Sequence, residues 1–318
     1  MTVNPDYRLE ATDQNMHKGF WDNSLEPVLT VEDGDVVRFE CLDAFDGQIT
    51  EQTTPDELVD LDFDPVHPLT GPVGVAGAEP GDVLAVELLE ISHHGSGVSA
   101  YFPGEMEIGL LPEDFPEGGI FHWDLEGDVG HFTNGIDIPI DPFPGTIGVA
   151  PVEDGRHETI PIRHVGGNMD IKHLGEGSTL YLPVAVEDAL FSVGDGHATQ
   201  GNGQVCVTGI EAPIDVTARF ERRTDMDIDQ PQFSTSHSVP PELGDPMYGT
   251  TGNESAFLPA AKAALRQLLD HVVESYELTR GEAYILIGQV ADFKVERIHH
   301  EGDNWTVYGY LPEAIFPD

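Results

Sequence analysis

Positive charge is what this chain has least of. Lys and Arg number 14 in 318 residues, against 58 Asp and Glu, for a formal net charge of −44 at pH 7. Such a field repels phosphate, which argues against a nucleic-acid partner or an anionic membrane surface. The acids run along the whole chain and the apolar fraction is an ordinary 39%, so the charge is expected to coat a folded surface. Molar salt screens repulsion over about 3 Å, and the composition reads as that of a cytoplasmic protein from an extreme halophile. Cysteine is scarce too: Cys41 and Cys206 each sit in an apolar run and read as reduced, buried thiols. The amino terminus has neither a basic n-region nor an apolar h-region, and no run approaches about 18 apolar residues, so a soluble intracellular protein is expected.

These scarcities narrow the chemistry. The lysines are Lys18, Lys172, Lys262 and Lys294, which leaves few partners for a Ser–Lys scheme. There is no GxSxG elbow, and the serines at 95–99 (GSGVS) read as a surface turn. Both thiols are better explained as core. What remains for a hydrolytic site is water activated by a metal or by a carboxylate, for which Asp and His are plentiful.

The stretch at 194–205, GDGHATQGNGQV, is the one around which the rest is read. Apolar segments on both sides predict two buried strands with the polar residues on a tight connection between them. Asp195 and His197, one residue apart, share a face if the first strand continues that far. The bland alternative is a polar hairpin. Upstream, 27–43 and 71–91 share one design, a strand, an acidic Gly-Asp turn and a second strand of alternating Val and acid, and 180–195 is a looser version. The repeat predicts stacked hairpins in a sandwich or barrel. Residues 101–165, rich in Pro and Gly, predict loops and short edge strands, and 222–253 reads as a further irregular acidic stretch. Residues 256–275 predict a helix, with Leu258, Ala261, Leu265, Leu268, Leu269, Val272 and Val273 at three- and four-residue steps. Residues 280–293 read as a helix and strand or as a second helix.

Taken in order, several motifs resemble the acetamidase/formamidase family along nearly the whole chain. They are LDAFDGQ (42–48), GPVGVAGAEPGDV (71–83), PFPGTIGVAP (142–151), GGNMDIK (166–172), GSTLYLPV (177–184), FSVGDGHATQGNGQ (191–204) and YLPEAIF (310–316). The resemblance implies a mainly β, α+β fold: a β-sandwich-like core over 1–220 with a C-terminal α/β portion, 221–318, packed on it. It also implies hydrolysis of short-chain amides such as formamide and acetamide to carboxylic acid and ammonia, with a bound divalent metal. We expect that metal to be Zn²⁺, with Ca²⁺ as a candidate second ion, and a homodimer or larger homo-oligomer.

The resemblance implies as candidate metal ligands His17, which stands ahead of the first strand where the family's pattern starts, and, within those motifs, Asp43, Asp46, Asp195 and His197; the candidate catalytic residues are Asp195, His197 and Asp170. Asn168, Phe143, Gln200 and Gln204 are the candidate substrate contacts, with Phe143 and Pro144 walling off a pocket too small for larger acyl groups. A Zn²⁺ held by imidazole and carboxylate lowers the pKa of a bound water towards ~7, and a carboxylate shuttles the proton to the leaving ammonia. His93, His94, His299 and His300 read as surface residues. One departure stands out. Members of the family typically continue with QGDGE after the histidine, whereas this chain has QGNGQ (200–204), with Asn202 and Gln204 in place of the two acids. An amide is no base and a poorer ligand for a hard cation, so a non-hydrolytic or altered-specificity member that binds a small polar metabolite is the competing expectation.

Overall fold

The computed structural model describes residues 3–235, 247–295 and 305–317. Its centre is a pair of six-stranded sheets. The first runs, in spatial order, Tyr7–Leu9, Val36–Cys41, Ile214–Arg223, Val83–His93, Ser178–Pro183 and Gln232–Thr235. The second runs Gly166–Asn168, Phe143–Val149, Phe191–His197, Pro68–Val75 and Met16–Lys18, with Leu29–Val31 lying parallel to Pro68–Val75. Their inner faces share one apolar core. Phe39 and Phe220 of the first sheet meet Phe191 of the second, with ring centroids 5.7 and 5.0 Å from it, in edge contacts that aromatic quadrupoles favour.

The three repeated segments are real units, but none is a hairpin. In each, the acidic turn carries the chain from one sheet to the other: Leu29–Val31 and Pro68–Val75 belong to the second sheet and their successors Val36–Cys41 and Val83–His93 to the first. The third unit crosses the other way, from Ser178–Pro183 to Phe191–His197. Alternating Val and acid suits a strand with one face on the core and one in water, and says nothing about which strand lies beside it.

Two further expectations are corrected. The 101–165 region holds Phe143–Val149, every residue of which is buried, between two partners in the second sheet. Pro144 is accommodated because the short strand Gly166–Asn168 pairs only with Thr146 to Gly148, so no ladder bond is asked of its missing N–H. The irregular acidic stretch, where described, contains the strands Gln232–Thr235 and Met247–Glu254. Residues 236–246 of that stretch, and His299 and His300, lie outside the described residues.

A four-stranded antiparallel sheet, Asp137–Pro139, Val129–His131, Gly119–Glu126 and Ser96–Tyr101, stands beside the second sheet. It shares a second apolar core with α1 (Phe257–Tyr276) and α2 (Arg280–Val290), where Trp123 and Phe132 meet Leu265, Leu268 and Leu286. The inward stripe of α1 is Ala260, Ala261, Ala264, Leu265, Leu268, Leu269 and Val272, whereas Leu258 at its start is exposed. α2 opens on a capping box of Thr279 and Glu282 and is followed by the strand Asp292–Val295, so the helix-then-strand reading of 280–293 holds. No helix among the described residues is long and apolar enough to cross a membrane.

Candidate active site

The strand Phe191–His197 does not stop at Gly194. It runs through the polar motif, so Asp195 and His197 are ladder residues, each 1% exposed. The segment after the motif, Val205 to Ile210, forms turns where a strand is expected. Asp195 has φ 60°, Asp170 φ 48° and Gln204 φ 42°. Left-handed backbone at three non-glycine residues around one cavity is costly unless the surroundings impose it, and it is common where side chains are aimed for function.

The neighbouring strand provides the room. Gly145 faces this motif, and a Cβ there would fall 2.4 Å from both Asp170 Oδ1 and Asp195 Oδ2 and 2.7 Å from His197 Cε1. The Gly145 carbonyl also accepts hydrogen bonds from the backbone N–H of Met169 and Asp170, at 3.0 and 3.2 Å, which brings Asp170 to the site. Asp170, Asp195 and His197 present ligand atoms within 4.8 Å of one another. Thr146 donates to Asp195 Oδ2 at 3.0 Å, and the Asn168 side-chain amide meets the Asp170 carboxylate at 3.2 and 3.3 Å, an approach to two acceptors that assigns the amide nitrogen to that side. The Phe143 ring stacks on the His197 imidazole, 4.8 Å between centroids and 9° from parallel. Gly209 leaves space for the same ring, since a Cβ there would lie 2.5 Å from His197 Cδ2.

Glu211 completes the group. Its backbone bridges both His197 and Val98, exchanging hydrogen bonds with Val98 at 2.8 and 2.9 Å, so it sits where the second sheet meets the four-stranded one. It is 2% exposed, and its Oε1 lies 3.2 Å from His197 Nε2. His67, 7% exposed, stands 3.8 Å from Asp195 Oδ2 through Nε2. Neither residue was singled out in the sequence. The signal for Glu211 was there: an acid set in the apolar run VCVTGIEAPI, where a lone carboxylate needs a reason to be buried.

Charge explains the electrostatics. Burial alone pulls the His197 imidazolium down, but the carboxylates of Glu211, then Asp195 and Asp170, outweigh it and hold its pKa at about 10. Burial, and then Asp195, raise Asp170 to about 7; burial raises Asp43 to about 6. The site thus carries more negative charge than its own imidazolium neutralises. Asp195 Oδ1, Glu211 Oε2 and His197 Nε2 are buried without a well-formed hydrogen bond to protein. Unpaired buried carboxylate oxygens beside an imidazole nitrogen are costly in a closed protein and are the donor set a divalent cation takes. The residues fit a metal.

The other sequence candidates divide. Asn168 and Gln204 line the cavity with Asp170, Asp195, His197 and Glu211. Asn202 is turned to the C-terminal portion, its backbone bonded to Asp292 and Phe293. Gln200 braces the site from behind, donating to the Asp170 carbonyl at 3.2 Å. Phe143 supports His197 and is not among the residues that line the cavity. Asp43 caps its own turn by accepting from the N–H of Phe45 and Gly47. Asp46 pairs with Lys18 at 2.8 Å, and His17 contacts the Phe20 carbonyl at 2.6 Å and the Ser192 hydroxyl at 2.9 Å. His17, Asp43 and Asp46 are outside the three-residue cluster.

Residues 2–158 and 152–317 match the family model described as the Acetamidase/Formamidase family. A formamidase of Methylophilus methylotrophus is 30% identical over 59% of this chain, an alignment that spans 59% of its own length. An acetamidase of Mycolicibacterium smegmatis is 25% identical over 84% of each chain. Among solved structures, an acetamidase from Bacillus halodurans is 30% identical with a TM-score of 0.68, covering 96% of this chain and 97% of that one. A gamma lactamase from Delftia acidovorans superposes with a TM-score of 0.89 over 98% of this chain and 93% of that one; at 24% identity it speaks for the fold alone. With its motifs, fold and family match in agreement from end to end, this chain belongs to the acetamidase/formamidase family.

Proposed function

We propose that the chain hydrolyses amides to carboxylate and ammonia in this cavity, with a divalent cation, Zn²⁺ by the expectation above, held by Asp170, Asp195 and His197. The observation that supports it most is the convergence of those three on one buried point beside the unpaired Glu211 Oε2. When bound, the cation supplies Lewis-acid activation of water and of the amide carbonyl. The protein's own groups do the rest. Thr146 and Asn168 fix the two aspartates, and Phe143 and Gly209 fix the plane of His197. Glu211 takes the proton of the attacking water and returns it to the amine nitrogen as the C–N bond breaks.

The test is ammonia release from an amide panel in molar KCl. Release that EDTA abolishes and added Zn²⁺ restores is the expected result; release indifferent to chelation counts against the reading. Gln204, an amide beside Asp170, favours a second reading in which the chain binds a small amide without turning it over. Saturable amide binding with no ammonia from a cation-loaded sample would select that reading.

Metal retention carries a pH signature. Asp170 has a folded-state pKa above the ordinary carboxylate range, so its contribution to stability is complete below about pH 4 and is lost as pH rises through about 7. His197, held at about 10, contributes fully below about 6.5 and loses that contribution as pH rises through 10. The cation-free protein therefore loses stability at this site with rising pH, while a cation that displaces these protons binds more tightly. The gap in melting temperature between Zn²⁺-loaded and EDTA-treated protein is expected to widen from pH 5 to pH 8 by scanning calorimetry. A constant gap would remove the site from consideration.

A halophilic origin, proposed on the −44 charge, predicts that raising KCl from 0.2 to 3 M lifts the melting temperature by roughly 10 °C, equivalent to several kcal/mol for a chain of this size. An unchanged melting temperature would show that surface repulsion is not limiting.

A further inference from the structure

The cavity is larger and more apolar than formamide or acetamide requires. Its volume is 260 Å³, about nine times the roughly 30 Å³ that one water occupies in the liquid. Acetamide, with four heavy atoms, fills about three such shares. The space left over is close to the ~150 Å³ of an apolar cavity known to hold benzene.

The lining falls into two parts. One is the polar cluster, with its ligand atoms within 4.8 Å of one another. The other belongs to a separate apolar core in which Ala44, Phe45, Val66 and Phe102 are buried and Phe63 and Ile108 pack against them. Phe102 is 3% exposed and touches the rings of both Phe45 and Phe63 at 6.1 Å between centroids. A wall of interlocked rings is already packed before any ligand arrives, so its apolar shape is preorganised. Thr208, the polar lining residue on the side of that core, has its hydroxyl bonded to both the N–H and the carbonyl of Ala100 at 3.0 Å, so a polar acyl group reaching the ring wall would meet no free partner in it.

We propose that this site selects primary amides with an aromatic acyl group of the phenylacetamide class, the amide at the Asp170–Asp195–His197 cluster and the ring against Phe45, Phe63 and Phe102. This rests on the hydrolytic reading above and names its substrate class. The reaction is R–CO–NH₂ plus water giving the carboxylate and ammonium: the C–N bond breaks, a C–O bond forms, and both protons of the water leave with the nitrogen, one delivered as the C–N bond breaks and the second given up by the carboxylic acid product. A single methylene in an apolar pocket is worth roughly 10- to 200-fold in discrimination. A whole ring is therefore expected to raise kcat/KM for 2-phenylacetamide at least about 100-fold over acetamide.

The experiment measures ammonia release by cation-loaded protein in molar KCl with formamide, acetamide and 2-phenylacetamide, together with calorimetric binding of 2-phenylacetamide and acetamide. Ile108→Trp, which fills the apolar part, is expected to shrink the phenylacetamide-to-acetamide ratio at least tenfold. Equal or better efficiency with acetamide overturns the proposal and leaves hydrolysis standing. Binding of 2-phenylacetamide that is tight and tighter than acetamide, with no ammonia from either, supports the aromatic pocket and sinks hydrolysis instead. Should Ile108→Trp not fold, the wild-type ratio and the two binding constants decide alone.

Discussion

Asp195→Asn is expected to strip the protein of its divalent cation and to lower amide hydrolysis by more than about 100-fold. Asparagine keeps the shape of the side chain and can still accept from Thr146, which donates to Asp195 Oδ2 at 3.0 Å. What it removes is one negative charge and an anionic donor from a cluster whose ligand atoms lie within 4.8 Å of one another. Loss of an outer-shell partner typically costs 10- to 100-fold in metal affinity, and loss of a direct ligand exceeds that. The substitution relieves repulsion with Asp170 and gives up part of the attraction to the His197 imidazolium, two effects of opposite sign. The EDTA-treated variant is therefore expected to melt within a few degrees of EDTA-treated wild type, which separates loss of the site from loss of the fold. Metal content by mass spectrometry and Zn²⁺ titration calorimetry are the measurements. A variant that keeps a full equivalent of cation at wild-type affinity would remove Asp195 from the ligand set.

Gly145→Ala is expected to do comparable damage by geometry alone. The added Cβ would stand 2.4 Å from an oxygen of each aspartate, closer than any real contact, and those oxygens sit on buried side chains held from behind by Thr146 and Asn168. The glycine's own φ lies outside the left-handed region that alanine avoids, so the effect isolates the clash. Either the aspartates are pushed apart or the strand Phe143–Val149 shifts, and overpacking of this kind costs about 1–3 kcal/mol. A displacement near 1 Å at catalytic groups is worth about 100-fold in rate. The expected outcome is a drop in kcat/KM of about 100-fold or more, a melting temperature lowered by a few degrees, and weakened Zn²⁺ binding. Unchanged Zn²⁺ affinity in a folded variant would show that the carboxylates do not hold the ion in the observed arrangement.

The two predictions rest on residues of different legibility. Asp195 and His197 could be paired on paper because a strand repeats every two residues, and Asp170 through the motif that contains it. Gly145 could not, since its weight comes from facing Asp195 across two strands separated by more than forty residues of chain. Glu211 and His67 were missed for the same reason. Each is an ordinary polar residue until the bridge between the second sheet and the four-stranded one places Glu211 at His197, and His67 at Asp195. His17, Asp43 and Asp46 show the converse. Each is of a ligating residue type, yet both ring nitrogens of His17, one oxygen of Asp43 and the Asp46 carboxylate are engaged by a carbonyl and a hydroxyl, by a turn and by a lysine.

Composition and local periodicity were enough to settle the acidic surface, the mainly β class and the apolar stripe of α1, because each depends on residue type or on neighbours within a turn or a strand; the family was carried by the resemblance of its ordered motifs. The sheet crossings at the acidic turns, the interior position of Phe143–Val149, the aromatic wall and the four polar groups around one buried point were decided only by the packed chain. The physical reason is that burial and pairing are properties of two distant segments at once: a carboxylate becomes a ligand or a base only when another part of the chain excludes water from it and leaves it unpaired.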